Sequence, residues 1–163
     1  MKNVLCCFTL LIFAGLFGGS AVAKIHGSND LTVRVLEVTH SAKVTVSVLN
    51  TSKKPLRIWK DSNSWGAARW RVLVLRNGQL QTFFQNPDRD FTVNLPTFVE
   101  IAGGSHLEQS LDLNDGNWRG SEREPVTLVP GDTVVVIYDV PFTAECLKLD
   151  VWYGVATTST GVS

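Results

Sequence analysis

The chain has 163 residues, with 15 basic and 15 acidic side chains, so its formal net charge at pH 7 is zero. This balance argues against nucleic acid and anionic membrane surfaces as partners, because both select an excess of Lys and Arg. The length is typical of a single domain that can bury a core without disulfides or metals.

The first 23 residues have the pattern of a secretory signal peptide. Lys2 supplies a positive start, an apolar run covers Val4–Phe17, and Ala21 and Ala23 stand where signal peptidase reads small residues. We therefore expect cleavage after Ala23, export to the periplasm or outside the cell, and one mature domain over residues 24–163. An uncut leader that acts as an anchor is the alternative. No second apolar stretch is long enough to span a membrane.

Strand patterns begin directly after the leader. An alternating strand starts at Leu31, and its parity changes at Glu37, which predicts a β-bulge that moves Leu36 and Val38 to the inner face. The next predicted strands cover residues 43–48, 56–59, 70–75 and 79–84. The last two are joined by Asn77-Gly78, a strong hairpin signal.

The second half of the chain continues this pattern. Residues 91–101 are extended, but Pro96 limits them to an edge or irregular segment. Residues 107–113 alternate, and Thr133–Val140 is almost unbroken apolar sequence, which predicts a strand buried on both faces. The predicted last strand carries its inner side chains at Leu147, Leu149, Val151, Tyr153 and Val155. The tail over residues 157–163 is expected to fray.

These segments amount to about eight or nine short strands separated by Gly, Pro and Asn turns, with no helix of usable length. This organisation predicts an all-β fold, an antiparallel immunoglobulin-like β-sandwich. A closed barrel is the alternative architecture.

The sequence contains no catalytic motif and implies no cofactor or metal. Its mature histidines, His26, His40 and His106, do not share a metal-ligand spacing. Acidic pairs at Asp88/Asp90 and Asp112/Asp115 suggest either calcium ligands or Asx turns. Asx turns are the simpler explanation, because neither pair fits a known calcium-binding loop. Asn50 heads a formal glycosylation sequon in a predicted exposed turn.

Cys146 is the only cysteine outside the leader, so the mature chain has no intramolecular disulfide. Two interpretations of this free thiol remain open. If the last strand includes Cys146, the thiol lies on the outer face with Lys148 and Asp150 and is exposed. If the strand begins later, the thiol packs as a small apolar group.

Five tryptophans are the unusual feature of the mature chain, and two of them, Trp65 and Trp118, stand in predicted loops. With Asn63 and Asn117 beside them, they form a candidate ligand site, because a flat aromatic ring with flanking amides suits sugars or peptides. The alternative is that both indoles fold back as apolar plugs of the sandwich. Trp152 has the outward parity of the predicted last strand.

Four segments resemble a group of uncharacterised exported bacterial proteins. They are Asn50-x-Ser52-x-x-Pro55-Leu56, Asn63-Ser64-Trp65-Gly66, Phe91-Thr92-x-Asn94-x-Pro96-x-Phe98 and Val151-Trp152-x-Gly154. The resemblance spans most of residues 31–159 and implies export and a β-sandwich, with no established activity. More distantly, the first segment and Leu128-x-Pro130-Gly131-Asp132 resemble the BsuPI-type proteinase-inhibitor domain, which is also a β-sandwich.

The sequence therefore favours an exported, non-enzymatic binding module whose partner is an unknown protein or glycan. A proteinase inhibitor that acts through an exposed loop, Asp61–Ala67 or Asn114–Arg123, is the alternative. A small hydrolase is a third possibility, and it requires a cleft with convergent titratable groups.

Overall fold

A computed structural model describes residues 30–86, 91, 94–120 and 125–163 of the chain. The predicted leader and its cleavage site lie outside these residues. Within them, ten strands and one short helix follow in the order β1 Leu31–Val38, β2 Lys43–Asn50, β3 Leu56–Trp59, β4 Trp70–Arg76, β5 Gln79–Gln85, β6 Phe98–Ile101, β7 His106–Asp112, β8 Trp118–Arg119, β9 Thr133–Val140, α1 Ala144–Leu149 and β10 Gly154–Gly161. No helix of the described part is long and apolar enough to cross a membrane.

The strands form two larger sheets and one small one. A three-stranded sheet has the order β1-β2-β7, a five-stranded sheet has the order β10-β9-β4-β5-β8, and β3 pairs with β6. Every pair of neighbouring strands is antiparallel. The predicted antiparallel all-β fold is confirmed, and the immunoglobulin-like character stays a prediction.

The core lies between the inner faces of the two larger sheets. On β2 and β9, alternate residues such as Val46 and Val136 are fully buried and belong to one cluster. Each buried valine stabilises the fold by about 1.5–3 kcal/mol relative to an exposed one. Period-two alternation therefore fixes which face of each strand turns inward.

Two local predictions from the sequence are largely confirmed. The pairing of β1 with β2 shifts between Val35 and Glu37, where the β-bulge was expected. Leu36, however, is skipped in the register and is 51% exposed, so its predicted inner position is wrong. Asn77 and Gly78 adopt φ angles of 50° and 77°, and they join β4 to β5 as a tight hairpin.

The C-terminal prediction is wrong in its first half. Residues 144–149 form α1, because the Thr143 side chain caps the first turn by accepting the Cys146 N–H, and Asp150 ends the helix with a φ of 54°. The predicted inner set at Leu147 and Leu149 therefore does not exist as a strand. The predicted inner position of Val155 is also wrong, because this residue of β10 is 53% exposed and Ala156 is buried instead. The alternation of leucines fits a strand pattern. Most of the same residues are also good helix formers, so they form a helix once its ends are capped.

The predicted frayed tail is also wrong. Strand β10 pairs with β9 over its whole length, from Gly154 opposite Val140 to Gly161 opposite Thr133. Val162 is buried, and its main chain bonds to Gly131 and Asp132. Strand β10 contains three threonines, a residue type that favours β-strands, and this composition supports pairing up to the end of the chain.

Strand β9 is not buried on both faces as predicted. Its burial alternates strictly, with Val134, Val136, Tyr138 and Val140 buried and the outer positions half-exposed. The predicted outward position of Trp152 is wrong as well, because this side chain is only 1% exposed and stacks on Tyr138 with ring centroids 5.8 Å apart. The irregular segment between α1 and β10 breaks the parity from which that position was inferred.

Candidate functional site

The loop between β3 and β4 is held in place by a buried asparagine. The Asn63 side chain is 1% exposed, and its amide nitrogen donates to the carbonyl and the hydroxyl of Thr97, both at 2.9 Å. Its oxygen accepts from the N–H groups of Trp65 at 3.0 Å and Gly66 at 2.9 Å. These four bonds use the two donors and two acceptor sites of the amide, so Asn63 serves the loop rather than a ligand.

Gly66 is required by the same loop, because a Cβ atom at this position would collide with the Lys60 carbonyl. Gly66 and Ala67 are buried, and Ser62 and Ser64 are the exposed residues between positions 61 and 67. The loop that the inhibitor hypothesis requires to protrude is therefore pinned against the body. The second inhibitor loop, Asn114–Arg123, extends partly outside the described residues.

Trp65 is half-buried and packs against the core rather than standing free. Its ring lies 6.1 Å from that of Trp59, which is 3% exposed. The Trp65 carbonyl accepts a hydrogen bond from Arg69 Nε at 2.6 Å, which fastens the far side of the loop. The Trp65 indole thus lies against the buried ring of Trp59.

Trp118 is also half-buried and packs against the core. It lies in β8 opposite Gln85, whose side chain accepts the Trp70 N–H at 3.4 Å. Because Trp70 follows the Trp65 loop directly, the two predicted site tryptophans lie at the same end of the five-stranded sheet. Among the described residues their rings make no contact with each other.

Asn117 lies in the turn before β8 and is half-buried. Its main-chain N–H donates to Asp115 Oδ1 at 2.8 Å, and its carbonyl accepts the Asn86 N–H at 2.6 Å. Asp112 accepts the Asn114 N–H in the same manner, at 3.0 Å. These are the Asx turns that the sequence suggested as the alternative to calcium ligation.

A pocket of about 330 Å³ opens beside the Trp65 loop, where all three sheets meet. Trp59 of β3, Trp70 of β4, Gln109 of β7 and Tyr138 of β9 contribute to its walls, with aliphatic side chains between them. The loop residues Lys60, Asp61 and Ser62 complete it, and two of these, Lys60 and Ser62, are exposed and mark its mouth. The pocket is therefore largely apolar and aromatic, with polar groups concentrated at one side.

The polar side of the pocket is built around one carboxylate. Asp61 is half-buried, and its Oδ2 accepts a hydrogen bond from Gln109 Nε2 at 3.0 Å. Burial raises the pKa of Tyr138 above its ordinary value, the negative charge of Asp61 adds to this effect, and the positive charge of Arg69 opposes it. The phenol therefore stays neutral.

The sequence placed Asp61 only at the start of a candidate inhibitor loop, and it did not identify Gln109 or Tyr138 as site residues. The available signal was Gln109, a polar residue at the inner parity of a strand whose neighbours at that parity are Leu107 and Leu111. An amide at such a position requires a polar partner, and Asp61 provides it.

The remaining sequence candidates have structural roles. Cys146 is 1% exposed and lies on α1, so the packed interpretation of the thiol is confirmed and the exposed one is wrong. Asn50, the sequon asparagine, is fully buried and donates to the carbonyls of Lys54 and Ile101 at 2.7 and 2.9 Å, so its predicted exposure is wrong. Among the described residues, no group of three or more metal-ligating side chains converges.

No family model, curated protein or solved structure matches the chain.

Proposed function

We propose that the chain is an exported, non-enzymatic binding module and that its ligand occupies the pocket beside the Trp65 loop. The pocket itself supports this proposal, because aromatic walls with a few convergent polar groups are the usual construction of a small-ligand site. Its volume of about 330 Å³ lies at the small end of such sites, which favours a ligand of one or two rings or the terminal unit of a larger partner.

The lining defines the ligand chemistry that we propose. Trp59, Trp70 and Tyr138 line the pocket but are only 1–3% exposed, so a ligand would meet the edges of their rings, and Asp61 presents a carboxylate that accepts a hydrogen bond from Gln109. A ring compound that carries a positive charge or a hydrogen-bond donor complements this arrangement, because hydrogen bonds to a carboxylate are stronger than those to a neutral acceptor. An aromatic amine and a terminal sugar unit both meet this description.

The lining also favours binding over catalysis. Asp61 is the one carboxylate among the described residues that line the pocket, and Tyr138, whose pKa is raised by burial, is neutral at physiological pH. Hydrolysis by a protein of this size commonly uses a nucleophile and a base within hydrogen-bond distance of each other. None of the described residues that line the pocket is a histidine or a cysteine.

Calorimetric titration with matched probes tests the proposal. Tryptamine and indole-3-acetate share a ring and differ in charge, and a methyl glucoside represents the sugar. We expect tryptamine to bind at least tenfold more tightly than indole-3-acetate, and Asp61→Asn to abolish that difference. Glu108→Gln removes an exposed carboxylate from the outer face of the same strand as Gln109, and it should leave the difference unchanged.

Each outcome of the titration is informative. Binding of the glucoside alone would assign the pocket to a sugar, and equal binding of both indoles by wild type and Asp61→Asn would remove Asp61 from the site. If none of the three probes binds, the pocket proposal fails. Export is tested separately, since the intact mass of the protein from an exporting host should correspond to a chain that begins at Lys24.

A further inference from the structure

The outer face of the five-stranded sheet carries exposed apolar side chains between polar ones such as Thr82, Thr157 and Arg119. The outward positions follow from the register, in which Leu73 lies opposite Val135 and Thr82, and Leu75 lies opposite Leu80. Seven apolar side chains share this face: Leu73, Leu75, Leu80, Phe84, Val135, Ile137 and Val155. Four of them are exposed, namely Leu75 at 42%, Leu80 at 61%, Phe84 at 42% and Val155 at 53%.

The sequence of β9 is that of a strand covered on both sides. Only Asp139 interrupts its apolar run after Thr133, yet Val135 and Ile137 are half-exposed on the outer face. Strands with continuous apolar sequence are normally buried on both faces. Exposed apolar surface of this kind marks an interaction site, so the outer face needs a partner that the described residues do not supply.

We propose that this partner is a second copy of the chain, which stacks its own outer face against the first. Two sheets that pack face to face lie about 10 Å apart with their strands within about 30° of each other. A two-fold axis parallel to the strands, between β4 and β9, exchanges those two strands. Leu73 of each copy then lies opposite Val135 of the other.

The charges on the face fit the same axis. Arg71 and Asp139 form the ion pair of this surface, with Arg71 Nη2 3.2 Å from Asp139 Oδ2, and they occupy one end of β4 and β9. Because the two-fold axis is parallel to the strands, it places this end of one copy over the same end of the other. Arg71 of one copy then lies near Asp139 of the other. The interface is therefore self-complementary in charge as well as in apolar surface, as an isologous dimer requires.

The size of the face is sufficient. Four strands spaced by ~4.8 Å and up to eight residues long at ~3.3 Å each give a footprint of about 500 Å² per copy. The total of ~1,000 Å² reaches the lower limit for a specific interface. The leader contains one charged side chain, Lys2, so the chain without it has 14 basic and 15 acidic residues. With a net charge this close to zero, two copies do not repel each other strongly.

Sedimentation equilibrium of the exported protein tests the dimer. We expect wild type to sediment as a dimer and Leu75→Glu to raise the dimer dissociation constant at least tenfold. Leu147→Glu places the same charge on α1, at a leucine that is 52% exposed and lies off the face, and should leave the constant unchanged. Thermal melts confirm that both variants fold. A wild-type monomer at ~100 µM would assign the face to a different partner, and a Leu75→Glu dimer of unchanged affinity would place the interface elsewhere.

A mixing experiment tests the axis. Arg71→Asp and Asp139→Arg each set like charges against each other, so each variant alone should dimerise more weakly than wild type. In an equimolar mixture the altered copies complement each other across the interface, and heterodimers should form with near wild-type affinity. If the mixture dimerises no better than its components, the two charges do not meet between copies and the proposed axis is wrong.

Discussion

Asp132, at the turn before β9, accepts two hydrogen bonds from the guanidinium of Arg76 at the end of β4. Arg76 Nε lies 2.7 Å from Oδ1 and Nη2 lies 2.6 Å from Oδ2, and Val129 N–H donates to Oδ2 at 2.9 Å. The carboxylate is 1% exposed. A charge that is removed from water to this extent must be paired, so Asp132 fixes the turn to the sheet.

This pairing predicts how stability depends on pH. The hydrogen bonds from Arg76 lower the pKa of Asp132, the Val129 N–H acts in the same direction, and burial opposes both. A carboxyl with a lowered pKa in the folded state contributes stability above its unfolded pKa of about 3.9 and loses it as the pH falls through the folded value. We expect the melting temperature of wild type to fall steeply below about pH 4.

Asp132→Asn provides the comparison. The variant should melt lower than wild type at pH 7, because Arg76 loses its anionic partner, and should lose less on acidification because the titrating group is gone. Glu100→Gln is the control, because Glu100 is 51% exposed and pairs with Arg57 outside the proposed dimer face, and exposed pairs contribute little. Parallel acid profiles for wild type and Asp132→Asn would show that another carboxyl dominates the acid transition.

Asn63→Ala should destabilise the protein substantially. The substitution removes four hydrogen bonds, each worth about 0.5–1.5 kcal/mol net, so we expect a loss of about 2–6 kcal/mol in urea unfolding. Asn94→Ala is the matched control, because Asn94 is exposed and its side chain accepts a single bond from the Ser64 N–H. A loss for Asn63→Ala no larger than for the control would show that the loop holds its shape without the amide.

The elements that the sequence predicts well are those set by neighbouring residues. Asn77 and Gly78 accept the positive φ angles that a two-residue hairpin needs, and the alternation of valines on β2 directs one face inward. Both signals are complete within a few residues, so no distant contact can reverse them.

The C-terminal segment was predicted wrongly because two local signals compete there. Leu147 and Leu149 alternate as in a strand, whereas Thr143 and the residues that follow favour a capped helix. The capped helix is favoured because it also places the Cys146 side chain in the core. A strand through the same residues would turn that side chain outward.

The candidate pocket lay beyond sequence analysis for a different reason. Trp59, Gln109 and Tyr138 are far apart in the chain and come from three different sheets. Alternation assigns Gln109 and Tyr138 to inner faces, but it does not determine which inner faces meet at an opening rather than in the packed core. That information lies in the packing of the sheets.

The stability lost when a tryptophan is replaced by alanine should increase with the burial of that tryptophan. Trp152 is fully buried, whereas Trp65 and Trp118 are half-buried. We expect Trp152→Ala to cost about 3–5 kcal/mol of unfolding free energy, and Trp65→Ala and Trp118→Ala about half as much. Urea unfolding of the three variants measures this order. Unchanged stability of Trp65→Ala and Trp118→Ala, together with weaker binding of tryptamine, would favour a ligand platform over apolar anchors.

The Cys146 thiol should be unreactive in the native protein. It is 1% exposed, its Sγ lies 3.8 Å from the Pro141 carbonyl oxygen, and the Thr143 hydroxyl lies 3.5 Å from it. A thiol must be reached by the reagent and ionised before it attacks a disulfide. We expect an aromatic disulfide reagent to label Cys146 slowly in buffer and rapidly in denaturant.

Leu147→Cys in a Cys146→Ser background supplies the control for that measurement, because the next residue of α1 is 52% exposed. The introduced thiol should react at once in buffer, since it differs from Cys146 chiefly in access. Slow labelling of Cys146 should then follow the rate of local or global opening and accelerate with urea. Immediate labelling of Cys146 in buffer, equal to that of the control, would mean that α1 detaches from the core on the timescale of the assay.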